Sequence, residues 1–175
     1  VPKLITVHHP DQVAQQARDY VQAYILLPSG VVGLFCLVGA IGGLAYQLIA
    51  SDTYSWTTFF FSTGLFVLGV ALGMGQTSYH RYLFTHFPET FAARMRLVTS
   101  RQKKKVKKET PQESIDHPGR KLAPVAYIAG IALLVGSSVV SIVHGQVEAL
   151  PAFLMPWAGF YWVKLFLWRR IILKK

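Results

Sequence analysis

Six histidines, one cysteine and eight acidic residues are the side chains in these 175 residues best suited to acid–base, metal or nucleophilic chemistry. His80 and His86 stand six positions apart, so they do not share a helix face. A bis-histidine haem needs two ligands at similar depth on different helices. The other histidines expected on that side, His8, His9 and His117, sit in polar arms. His80 is therefore the one candidate cofactor ligand, as a single donor to a haem or a chlorophyll-type magnesium shared with another subunit. No resident cofactor is implied. His144 and Glu148 lie one turn apart, but two ligands from one helix are too few for a metal site, and the pair reads as a solvated turn. Lys164 falls inside an apolar run, one turn before Trp168, and is expected to snorkel to the nearer headgroups. Cys36 is isolated in an apolar stretch and reads as a small packing residue. There is no phosphate-binding glycine loop, HExxH, nucleophile elbow or CxxC, and the chain does not read as an enzyme.

The densest charge is Lys103, Lys104, Lys105, Lys107 and Lys108. Beside an anionic leaflet each such residue contributes about 1 kcal/mol of attraction. With Arg94 and Arg96 these lysines form the expected lipid- or partner-binding set. No aromatic residues interleave them for base stacking, so nucleic acid is not the partner the segment implies.

The elements that must position these groups follow from charge and hydropathy. Four apolar runs, 31–50, 56–75, 122–143 and 149–168, each approach the ~20 residues that a helix needs to cross a hydrocarbon core. Asp and Glu are absent from all four. Of the eighteen Lys and Arg, two lie in the N-terminal arm, eleven in the 76–121 connection and five in the last run and tail. The two short connections hold only the acids Asp52 and Glu148. By the positive-inside rule both termini and the 76–121 connection are expected on the cytoplasmic side. The N-terminal stretch lacks the ordered charged, apolar and small-residue regions of a secretory signal, so the first span is expected to act as an uncleaved insertion signal.

The expected fold is thus an all-α integral membrane protein with four transmembrane helices as two hairpins. The divisions are a cytoplasmic arm at 1–30, a first hairpin at 31–75, a basic connection at 76–121, a second hairpin at 122–168 and a basic tail at 169–175. Val13, Ala17, Tyr20, Val21 and Tyr24 recur at helical spacing opposite polar residues, and Phe91, Met95 and Val98 do so in the connection. Both segments, about 11–26 and 89–99, are expected as amphipathic helices in the membrane interface. Leu27-Pro28-Ser29-Gly30 should break or kink the chain before the first span.

Gly39 and Gly43, Gly69 and Gly73, and Gly130 and Gly136, the last two with Ala126 and Ala132, supply the small-xxx-small spacing that brings membrane helices close. The fourth span is loaded instead with rings. Together these features describe a non-catalytic accessory subunit of a larger membrane complex, of the electron-transport or photosynthetic kind at its most specific. Its expected partners are other integral membrane subunits and anionic lipids. The alternative is a small transporter or channel lined by Ser62, Thr63, Ser137, Ser138 and Ser141.

Overall fold

A computed structural model describes residues 10–103, 122–145 and 147–173, and among them all regular structure is helical. The elements are α1 (Pro10–Val21), α2 (Leu27–Ile49), α3 (Trp56–His86), α4 (Pro88–Lys103), α5 (Ala123–Val143) and α6 (Ala149–Leu173). Four helical segments are long and apolar enough to cross a membrane: α2 with the α1 residues that run into it, α3, α5 and α6.

The expected break at Pro28 takes another form. α1 runs into α2 through a π-helical turn, Gln22–Leu26, whose exit is marked by the Leu27 N–H donating to the Gln22 carbonyl, five residues back. Pro28 follows in the first turn of α2. Proline lacks an amide and crowds the carbonyl four residues before it, and a widened turn relieves both without ending the helix. α3, by contrast, does stop where the sequence resets: Phe87 closes it, and Pro88 opens α4. At its start, Ser55 and Thr58 form a reciprocal capping box that satisfies free amides of the first turn.

α6 occupies the centre. It packs extensively against both α2 and α3, which touch each other little despite the short connection between them. The two sequence-adjacent hairpins are therefore not the packing units. Against α2 the register runs antiparallel, Gly33 meeting Tyr161, Gly39 meeting Leu154 and Gly43 meeting Pro151. Against α3 it runs parallel, Gly69 meeting Pro156 and Gly73 meeting Phe160 and Val163. The α3–α6 crossing is reciprocal: a Cβ on Gly69 would overlap the Pro156 carbonyl oxygen, and one on Gly159 would overlap that of Phe66. The α-hydrogens of these glycines therefore point at the facing carbonyls, the geometry of Cα–H···O contacts between close helices.

At one end, the Ser51 hydroxyl donates to Glu148 Oε1 at 3.3 Å and ties the two short connections together. Left-handed backbone at Asp52 (φ 51°) and Gly145 (φ 66°) turns the chain there, a conformation Asp and Gly tolerate better than most residues. At the other end, Ala17, Val21, Leu83, Phe91 and Trp168 form a buried cluster. The apolar faces of α1 and α4 thus cover each other and the ends of α3 and α6, a different use from the interfacial one the sequence suggests.

Outside these clusters the distribution is inverted relative to a water-soluble protein. Ser29, Gln47, Thr58, Ser62, Thr77, Ser138 and Ser141 are buried, while Phe35, Ile49, Trp56, Ile128 and Val143 stand exposed. Small and hydroxyl residues pack helix to helix where the surrounding solvent is itself apolar.

Candidate functional site: the clefts beside the fifth helix

α5 is the least embedded of the four long helices. Only Leu134, Ser138 and Ser141 of it are buried. It meets α3 and α6 near its middle and leaves a cleft on either side of that contact. The cleft towards the N-terminal end of α5 is a pocket of about 750 Å³, lined by α3, α5 and α6, within the ~300–1,000 Å³ range of ligand pockets. Gly75 and Gly130 form part of its wall, and a Cβ on either would meet nothing within 4 Å. Its rings come from Tyr79, Tyr127, Trp157, Phe160 and Tyr161. Gln76 and Lys164 supply its polar groups beside the tyrosine hydroxyls.

The aliphatic stem of Lys164 does not run to the nearer helix end. Its ammonium nitrogen lies 4.9 Å from the centre of the Phe160 ring and 5.9 Å from that of Tyr161, which places it back towards the N-terminus of α6. The snorkelling expectation is corrected by helix geometry: Cα–Cβ bonds tilt towards a helix N-terminus, and α6 approaches its basic end with its C-terminus. Cation–π contact replaces headgroup contact.

His80 sits behind this pocket. Its Nε2 shares a 2.5 Å hydrogen bond with the Tyr127 hydroxyl, which Gln76 also reaches. With the Gln76 amide donating to the phenol oxygen, the hydroxyl hydrogen goes to Nε2. Its Nδ1 is buried without a partner, and Phe91 packs edge-on to the ring. A haem or chlorophyll does not fit: one ring nitrogen is covered by Tyr127, and the other has no exposed surface for a metal to approach. In this arrangement His80 presents no accessible ring nitrogen to a group shared with another subunit. The residue orients Tyr127 instead.

The other candidate residues are dispersed. Arg94 is exposed on α4, with its guanidinium carbon 5.9 Å from the Phe91 ring centre. Arg96 lies on α4 and Lys103 ends it, whereas Lys104, Lys105, Lys107 and Lys108 lie outside the described residues. His86 donates from Nδ1 to the Tyr82 carbonyl (3.1 Å) and stacks on the Tyr82 ring. His144 Nδ1 is 2.8 Å from the Val140 carbonyl, and Glu148 accepts from the Ser51 hydroxyl. Cys36 is half-buried and free. No cluster of three metal-ligating side chains occurs among the described residues.

Gly39, Gly43, Gly69 and Gly73 all sit at crossings with α6, whereas Gly130 borders the pocket and Gly136 faces open space. The second cleft, of about 420 Å³, is lined by Phe60, Phe61, Gly64, Leu65, Leu68, Ser137, Val140 and Ser141. Ser62, Ser137 and Ser138 donate to carbonyls of their own helices at 2.9–3.0 Å. Those hydroxyls are thus spent locally, as hydroxyls in apolar helices commonly are.

No protein-family profile matches this chain, and neither a curated protein nor a solved structure matches it. Fold and composition define its class: an all-helical, multi-pass membrane protein with four helices long enough to span.

Proposed function

We propose that the chain is a non-catalytic accessory subunit of a larger membrane complex. Both termini and the 76–121 connection lie on the cytoplasmic side, and the basic connection docks on anionic lipid or on an acidic partner face. Charge supports the orientation: the described residues Arg18, Arg81, Arg94, Arg169 and Arg170 belong to elements of the α1–α4 end, opposite the Ser51–Glu148 contact.

The observation that carries the subunit reading is the uncovered small-residue edge of α5. Gly136 is exposed and no atom approaches the position of its missing Cβ. Glycine inside a helix costs about 1 kcal/mol relative to Ala. At Gly33, Gly43, Gly69 and Gly159 that cost is offset by a close neighbour within the chain. At Gly136 a helix of a partner subunit supplies the corresponding contact. The test is isolation from native membranes in mild detergent. The wild-type chain should co-isolate with other integral subunits, and Gly136→Leu should isolate alone with its own thermal transition intact. Undiminished co-isolation of Gly136→Leu would remove the α5 edge from the account.

A further inference from the structure

We propose that the pocket between α3, α5 and α6 binds one acyl-chain amphiphile through an anionic head, a phosphate or a carboxylate, held by Lys164. This inference does not depend on the accessory-subunit reading.

Three observations converge on it. The cavity is of ligand size, and its wall is chiefly apolar and aromatic, from Leu72, Ala126, Ile131, Leu134, Trp157 and Phe160. That surface fits a hydrocarbon chain, and the open side of the cleft gives such a chain lateral access from the bilayer. Second, the ammonium of Lys164 is directed into the helix bundle over Phe160 and away from the basic end. A charge at such depth costs several kcal/mol when isolated, and a ring face offsets only part of this. None of the four spans contains a carboxylate that could pair with it. The charge that completes the site therefore arrives with the ligand.

Third, polar groups are arranged around the same wall. Gln76 Oε1 is buried without a hydrogen-bond partner, and the Tyr127 hydroxyl is fixed by His80 Nε2 at the pocket wall. Lys164 supplies the charge-assisted bond to the anion. The Gln76 side chain and Tyr127 line the wall beside it and keep that stretch polar. Ala126, Gly75 and Gly130 keep the wall free of side chains where the ligand lies.

The experiment uses the whole chain with the five lysines at 103, 104, 105, 107 and 108 changed to Gln, so that the connection contributes little. It is reconstituted with phosphatidylcholine, phosphatidylglycerol and oleate, released into mild detergent and weighed intact by native mass spectrometry. The masses distinguish a phosphate-headed lipid from a fatty acid, and either one, retained once per chain, supports the site. Lys164→Met should lower retention at least about tenfold, the effect of removing a charge-assisted hydrogen bond. Lys164→Arg should restore it, and Ala126→Phe should block the cavity. Equal retention of phosphatidylcholine, or undiminished retention in Lys164→Met or Ala126→Phe, would overturn the proposal.

Discussion

The glycines separate into two kinds that sequence spacing alone cannot distinguish. Gly69 is pressed against the Pro156 carbonyl, whereas Gly136 meets nothing. Ala substitution should therefore have opposite signs at the two sites. Gly69→Ala forces backbone apart and should destabilise the chain by about 1–3 kcal/mol, as overpacking does. Gly136→Ala should be neutral or stabilising by a few tenths to about 1 kcal/mol, through helix propensity. Thermal unfolding of the two variants in detergent checks this, and equal losses would show that Gly136 also serves a crossing within the chain. The spacing of Gly69 and Gly73 was legible because close approach demands small residues at one-turn intervals. Their counterpart was not, because Gly159 lies in a ring-rich run. The signal was nevertheless there: Ala152, Pro156 and Gly159 stand at i, i+4 and i+7, one ring-free face of α6. The direction of Lys164 could have been read too, from the run of α6 towards its basic end. The partnership of His80 with Tyr127 could not, since it joins residues 47 positions apart.

The elements themselves were the most legible part, since length and apolarity of a span are local properties. Their pairing was not, because hydropathy does not say which helix a given face meets. α1 and α4 show the point. Their amphipathic faces read as surfaces for lipid, yet Val13, Ala17, Val21, Phe91 and Ala92 are buried within the protein. An apolar stripe needs an apolar neighbour, and a second stripe serves as well as a bilayer. Phe91→Ala should accordingly cost about 3–5 kcal/mol in this clasp, the usual effect of truncating a buried ring. Amide hydrogen exchange in α1 should accelerate by more than tenfold as its cover on α4 is lost. Unchanged protection of α1, with weaker vesicle binding instead, would return both helices to the lipid surface.

At the scale of the whole molecule, the structure is a three-helix packing unit of α2, α6 and α3 with α5 laid loosely alongside. Glycines and alanines carry the tight crossings, and bulky aliphatic and aromatic residues face outward. The tightly packed part is closed around α6, and the open clefts and the uncovered edge belong to α5. The proposed orientation rests on the eighteen-to-none division of Lys and Arg under the positive-inside rule, and the proposed docking role on the basic connection. The α5 edge is proposed to meet another subunit. A photoreactive benzophenone residue placed at 136 in native membranes tests it most directly, with the same residue at Phe35, which is 74% exposed on α2, for comparison. A covalent adduct with a different integral membrane protein is expected from position 136, and mainly lipid adducts from position 35. Lipid adducts alone from both positions would contradict it.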